Sequence, residues 1–140
     1  MRENLFNLIR TLTAIPVGYA VLFEGSTLVQ ETMFHGVSFH RSSLMVLILA
    51  GILTPVSGLA AGMVTAAVGG RLFLLHAIPL ALWIGFETTF LFTKHIVDGP
   101  LWFEGGAALA LVLGVFAGAF VWEEVILRHD EAARGNLVAV

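Results

Sequence analysis

The sequence contains no cysteine and few charged residues. The absence of cysteine excludes disulfides, thiolate metal ligands and cysteine nucleophiles, and it leaves the redox compartment undetermined. Lys, Arg, Asp and Glu together make up 12% of the 140 residues, about half the share that soluble domains carry. The formal net charge of −3 is too small to indicate a strongly charged partner, so we expect no binding to nucleic acid.

Catalytic motifs are also missing. The sequence has no nucleophile elbow, no phosphate-binding glycine loop, no HExxH zinc motif and no dinucleotide fingerprint. The spacing of His35, His40 and His95 fixes no metal geometry. We therefore predict no catalytic residues, no metal ligands and no cofactor, with quinone binding left as an alternative, and we favour a protein that is not an enzyme by itself.

What the sequence has in abundance is apolar residues. They make up 58% of the chain, and the mean hydropathy is +0.92. Four stretches have the roughly 20 apolar residues that a membrane-spanning helix needs. They lie at approximately 5–24, 43–68, 71–93 and 105–127. The sequence predicts an all-α, polytopic membrane protein, with a four-helix transmembrane bundle forming one domain over residues 1–140 in contact with the lipid bilayer.

Positive charges predict the orientation of the bundle. With four spans, both termini and the Gly69-Gly70 turn lie on one side of the membrane. That side carries Arg2, Arg71, Arg128 and Arg134, with Arg10 close to it, whereas the other side carries Arg41 and Lys94. Because cytoplasmic loops are enriched in Lys and Arg, we predict an integral protein of a bacterial or archaeal plasma membrane with both termini in the cytoplasm.

Small residues recur at helical spacing in two spans. The rows are Gly58 and Gly62 in the second span, and Gly106, Ala110, Gly114 and Gly118 in the fourth. Such rows let helix backbones approach closely, which matters in lipid, where apolar burial gives little drive between helices. We expect ordinary packing within the bundle. The alternative is that one row closes the bundle while the other docks onto another subunit.

Glu87 is the most informative residue, because it lies inside the apolar third span. At roughly 100° per residue, the polar groups of this span fall on one stripe that should face the bundle interior or a partner. The stripe comprises His76, Leu80, Trp83, Glu87, Phe90 and Lys94. An ionisable residue inside the membrane indicates a functional site. The alternative is a protonated or hydrogen-bonded carboxyl that holds the helices in register.

Arg10 is the second charge inside a span, at a depth similar to that of His76. One interpretation is an arginine whose side chain extends to the nearby lipid head groups. The other is an anchor for an anion or a quinone carbonyl, with His76 as its neighbour. Arg10, His76 and Glu87 are therefore the candidate intramembrane polar site.

Three glycine-punctuated segments carry a family resemblance. They are LIRTLTAIPVGYAVLFEG at 8–25, LAGILTPVSGLAAG at 49–62 and FEGGAALALVLGVFAG at 103–118. Over roughly residues 8–120 the chain resembles the DoxX-like family of small four-helix membrane proteins. The resemblance implies a membrane subunit associated with oxidoreductase systems, including thiosulfate:quinone oxidoreductase. One departure is at Thr54-Pro55-Val56, where the family often has a Glu.

Three classes of function remain at this stage. The first is a non-catalytic subunit of a larger respiratory or electron-transfer membrane complex, with other membrane subunits as partners. The second is a quinone-interacting membrane subunit of an oxidoreductase, with Arg10, His76 and Glu87 as its polar groups. The third is a small transporter or proton channel, which would need a polar path from Glu87 to both membrane surfaces.

Overall fold

The computed structural model describes residues 2–70, 73–97 and 99–138, and in these ranges the chain forms helices and no strand. The helices are α1 (Arg2–Thr27), α2 (Leu44–Gly69), α3 (Phe73–Thr93) and α4 (Leu101–Val138). All four are long and apolar enough to cross a membrane, which confirms the predicted all-α four-helix transmembrane bundle. Arg71 and Asp98 lie outside the described residues.

Large apolar side chains cover the outside of the bundle. Leu82, Phe86 and Leu113 are 70%, 64% and 60% exposed, and many other large apolar side chains are more than half exposed. A soluble monomer rarely exposes contiguous apolar surface of this kind, whereas lipid tails solvate it. Together with the four spans, this surface identifies a small integral membrane protein in contact with the bilayer.

Two helices continue beyond their predicted ends. α1 leads directly into a π-helix at Leu28–Met33, and α4 runs to Val138, well past the predicted span. The last turns of α4 are more polar than the rest of the helix. They include an exposed ion pair, in which Arg128 Nε lies 3.5 Å from Glu124 Oε2. Hydropathy marks the part of a helix that lies in lipid, so it cannot locate the end of a helix that continues into water.

The two ends of the bundle differ in their connections. At the turn end, α2 ends at Gly69, Gly70 follows it, and α3 begins at Phe73. Gly70 has a φ of 86° that favours glycine, and its N–H bonds to the Ala66 carbonyl. At the loop end, residues 34–43 connect the π-helix to α2, and residues 94–100 connect α3 to α4. The turn end therefore carries the short connection and the loop end the two longer ones.

Glycines on α1 fix its contact with α2. A side chain added at Gly18 would overlap the Thr65 hydroxyl, and one added at Gly25 would lie 2.9 Å from the Ser57 Cβ. Both glycines therefore allow α1 to approach the small polar side chains of α2. Thr65 is itself buried, and its hydroxyl donates to the Ala61 carbonyl at 2.6 Å, which satisfies this polar group without a partner on another helix.

The two glycine rows meet each other. A Cβ built on Gly58 would lie 2.5 Å from the Leu111 carbonyl oxygen, and one built on Gly114 would lie 2.5 Å from the Pro55 carbonyl oxygen. Gly62 and Gly118 are in equally close contact with the opposite backbone. For these four glycines the contacts agree with the expected packing within the bundle and not with the alternative in which one row docks onto another subunit, because each row is occupied by the other.

Candidate functional site

The faces of α2 and α4 that carry these glycines separate towards the loop end. Gly51 precedes Gly58 by two turns on α2, and Gly106 precedes Gly114 by just over two turns on α4. A Cβ built on either Gly51 or Gly106 would meet nothing within 4 Å. Thus α2 and α4 are in backbone contact near the middle of the bundle, whereas Gly51 and Gly106 near its loop end are exposed and have no close neighbour.

A cavity of about 620 Å³ occupies the space between the separated faces. Its walls include Gly51 and Gly106, and the π-helix and both connections at the loop end complete it. Pro55 also lines it, one turn after Gly51. Proline lacks the N–H that would bond to the carbonyl four residues earlier, here that of Gly51, and its ring crowds that carbonyl. α2 nevertheless continues as one helix through Pro55, with one backbone hydrogen bond fewer beside the cavity.

The first connection folds over the cavity. Phe39 lies in this connection, and its ring centroid is 5.4 Å from that of Trp102 and 5.1 Å from that of Phe103, at the start of α4. Trp102 and Phe103 line the cavity, as do Arg41 and Ser38. The site therefore combines an apolar interior with aromatic and polar groups near its outer end, the arrangement typical of pockets for small amphipathic molecules.

A second cavity of about 270 Å³ lies beside the first, between α1, the π-helix, α3 and α4. Glu87 lines it and is half-buried. The Tyr19 hydroxyl donates to the Glu87 carboxyl, at 3.2 Å from Oε1 and 3.3 Å from Oε2. The Trp83 ring packs edge-on against the Tyr19 ring at 5.6 Å between centroids, which orients the phenol towards Glu87.

Arg10 and His76 lie at the turn end instead. Arg10 Nε donates to the Val68 carbonyl at 3.1 Å, and its guanidinium lies against Gly70. A cation that binds the last carbonyls of a helix also interacts favourably with the helix dipole. The contact of Arg10 with the end of α2 therefore gives this charge a structural role.

His76 is buried beside the same turn. It is 1% exposed, its Nε2 is 3.0 Å from the Thr11 hydroxyl, and its ring packs against Gly69. Eleven residues of α3 separate His76 from Glu87, which is about 16 Å along the axis. The structure thus places Arg10 and His76 around one turn and Glu87 in a different part of the bundle, so the three do not form one site.

The predicted stripe of α3 faces the interior over only part of its length. His76 and Leu80 are buried and Glu87 is half-buried, but Trp83 and Phe90 are 50% and 47% exposed. Lys94 is exposed, with its ammonium 6.0 Å from the Phe90 ring. The outer part of this stripe therefore lies at the edge of the bundle.

Sequence reasoning missed most residues of the two cavities, among them Tyr19, Gln30 and Glu104. Tyr19 is the only tyrosine of the chain and lies in an apolar span, a signal that its hydroxyl needs a partner. Gln30 and Glu104 line both cavities. Glu104 is in the first turn of α4, where a carboxylate is explained by the helix dipole alone, so its sequence position did not indicate a site.

Metal binding has no evident place in the described part of the chain. No group of three or more His, Asp or Glu side chains there is arranged to hold a metal ion. The buried Trp122 Nε1 has no hydrogen-bond partner among the described residues, but a lone donor near the far end of α4 does not define a site.

No family model, no curated protein and no solved structure matches the chain. The resemblance to the DoxX-like family therefore stays a prediction, and the two cavities carry the functional argument.

Proposed function

We propose that this protein is a membrane subunit that binds a quinone-class molecule in the 620 Å³ cavity and acts within a larger electron-transfer complex. The observation that carries the proposal is the pair Gly51 and Gly106. On faces that otherwise pack backbone against backbone, these two glycines leave an open space of the size that small-molecule pockets have.

The lining of the cavity suits an aromatic ring with an apolar tail. Leu47, Ala50 and Ala110 supply apolar walls, and Trp102 and Phe103 supply aromatic faces. Offset or edge-on contacts between rings add to the burial of apolar area. A quinone reaches such a site through the lipid, and its tail has the same chemistry as the membrane interior.

Participation in a complex is part of the proposal, and it is supported by what the chain itself supplies. It has no cysteine, and its described residues contain no cluster of metal ligands. Electrons for or from a bound quinone would therefore come from a redox centre in a partner subunit. The glycine rows no longer support docking, so the partner contact is placed elsewhere on the surface.

We do not propose a transporter or channel. Both cavities lie near the loop end, and a polar path to the turn end would have to pass the contact between Gly62 and Val115 and the fully buried Leu80. That part of the bundle is close-packed, and close packing opposes the passage of water or ions.

A cavity-filling substitution tests the proposal. Gly106→Leu places a side chain in the cavity without meeting protein atoms within 4 Å of its Cβ. In lipid nanodiscs, we expect it to weaken binding of a decyl-substituted benzoquinone or its hydroquinone by about tenfold or more. The decrease in tryptophan fluorescence on titration reports the binding, with empty nanodiscs correcting for partition into lipid.

The matched controls are Gly105→Leu and Gly85→Leu. Both glycines also meet nothing within 4 Å and lie outside the residues that line the cavity. They should leave the affinity unchanged. Wild-type protein that binds neither redox form, or a Gly106→Leu variant that binds as tightly as wild type, would refute the proposal.

A further inference from the structure

The side chain of Arg10 ends at the boundary of the apolar part of the bundle. The apolar span of α2 ends at Gly69, and the Arg10 guanidinium lies against Gly70, where a built Cβ would be 2.9 Å from Nη2. The guanidinium is therefore level with the end of a membrane span, which is where the lipid head groups begin. Arg10 itself belongs to the first span, so its long side chain reaches this level from inside the apolar region.

Two contacts hold the guanidinium in place. Its Nε donates to the Val68 carbonyl at 3.1 Å, and its Cζ lies 5.8 Å from the centre of the Phe6 ring, one turn earlier on α1. A guanidinium carries five N–H donors, and this hydrogen bond uses one of them. Arg10 makes no other hydrogen bond or ion pair with the residues that the structure describes. The N–H groups of Nη1 and Nη2 can therefore donate to an acceptor from outside the described chain.

The charge of Arg10 is only partly balanced by its surroundings. The carbonyl end of a helix acts as roughly half a negative charge, so the end of α2 offsets only part of the guanidinium charge. Asn7 lies three residues earlier on the same side of α1 and is exposed, which adds an amide donor. On the same stretch of α1, Phe6, Ile9 and Leu12 are more than half exposed. The site thus combines a charged donor, a neutral donor and an apolar wall that faces lipid.

We propose that this site binds the phosphate group of an anionic phospholipid. Two oxygens of a phosphate can accept from both Nη atoms of one guanidinium, and the acyl chains of the lipid would lie along the exposed apolar side chains of α1. A zwitterionic head group also has a phosphate, but its ammonium group cancels the charge, so it binds more weakly. The arginines predict that the turn end faces the cytoplasm, and basic sites between helices on that side bind anionic head groups. The site is separate from the quinone cavity at the loop end and does not depend on the proposed function.

Competition between two lipids with the same acyl chains tests the proposal. The full chain, stripped of lipid in detergent, is mixed with equal amounts of dioleoyl phosphatidylglycerol and dioleoyl phosphatidylcholine, and native mass spectrometry measures which lipid is bound. We expect wild type to prefer phosphatidylglycerol by about tenfold, the effect of one or two charge-assisted hydrogen bonds. Arg10→Gln should bring this ratio towards one. Asn7→Ala should weaken the binding of both lipids by about threefold, since each carries the phosphate.

Arg128→Gln is the matched control, because Arg128 is an exposed arginine of α4 on the side of the turn end and pairs with Glu124. It removes the same charge and should keep the wild-type ratio. Arg10→Lys keeps the charge without the two parallel donors, so it should keep a smaller preference, which guards against loss of the ratio through misfolding.

Inorganic phosphate, added at matched ionic strength, distinguishes a lipid from a free anion and should not displace the bound phosphatidylglycerol. Equal binding of the two lipids by wild type would overturn this inference. So would an unchanged ratio in a folded Arg10→Gln variant, or displacement of the lipid by inorganic phosphate. Each of these results would leave the proposed quinone site standing, because that site lies at the other end of the bundle.

Discussion

At the scale of single residues, the Tyr19–Glu87 contact explains how an apolar helix carries a carboxyl group. A buried carboxyl without a hydrogen-bond partner is costly, and the phenol of α1 supplies the partner across the helix interface. Both the structural and the functional interpretation of Glu87 therefore apply to this contact. The hydrogen bond links α1 to α3, and it also positions the carboxyl at the edge of a cavity.

We predict that this tie contributes to stability. Glu87→Leu should lower the free energy of unfolding by about 1–3 kcal/mol, since it leaves the Tyr19 hydroxyl without its acceptor. Glu87→Gln should cost less, because the amide still accepts a hydrogen bond. Combined with Tyr19→Phe in a double-mutant cycle, Glu87→Leu should show a coupling of about 1 kcal/mol, because the double variant no longer holds an unpaired hydroxyl. Unfolding in mixed micelles, followed by circular dichroism, gives the values, and strictly additive effects would argue against the tie.

The sequence could identify Glu87 but not its partner. A charge inside a span is visible from hydropathy alone, whereas the approach of Tyr19 depends on the rotation of α1 about its axis. The same limit explains Arg10 and His76. Their similar depth was predictable, but whether they meet each other or the α2 terminus is decided by the turn at Gly69 and Gly70.

At the scale of elements, four helices follow from four apolar stretches because a backbone in lipid must satisfy its own hydrogen bonds. The ends of the helices depend on local geometry instead. α3 ends at Thr93. After it, His95 has a φ of 52° and the Ile96 N–H bonds to the Leu91 carbonyl, which is the pattern of a Schellman cap. Glycine is the usual residue at that position, so the histidine gave no signal.

Glycine spacing predicted close packing without specifying the partner of each row. The row on α4 begins at Gly106, in open space, and reaches backbone contact at Gly114. The spacing of small residues in the sequence does not distinguish Gly106 from Gly114. Only the divergence of α2 from α4 distinguishes them, and that divergence depends on the path of both helices.

Opposite effects of one substitution should reveal this difference. Gly118→Ala would place a methyl group against the Leu59 carbonyl and should destabilise the protein by about 1–3 kcal/mol, as overpacking does. Gly106→Ala, in the same row, meets open space and should stabilise it by up to about 1 kcal/mol, because alanine is the better helix former. Both are measured by thermal unfolding in the same detergent. A tolerated Gly118→Ala would mean that α2 and α4 do not approach as described.

At the scale of the whole molecule, the bundle has two unlike halves. Near the turn end, backbones touch and His76 and Leu80 are buried, whereas near the loop end two cavities open between the helices. Neither half is evident from composition, since both consist of the same apolar and small residues. The cavities arise where neighbouring helices separate, and the spacing of small and apolar residues along the sequence does not indicate where that separation occurs.

The direction in which the loop end faces decides from which leaflet a ligand enters, and the distribution of arginines predicts that it faces outwards. Because the chain has no cysteine, single cysteines report the orientation without background. Ile96→Cys, exposed at the loop end, should react with a membrane-impermeant thiol reagent in intact cells. His129→Cys, exposed in the extension of α4 on the side of the turn end, should react only after the membrane is opened. The reverse pattern would place the cavities at the cytoplasmic leaflet and require the ligand to come from inside. Labelling of both positions in intact cells would contradict a fixed insertion, since these sites lie at opposite ends of one bundle.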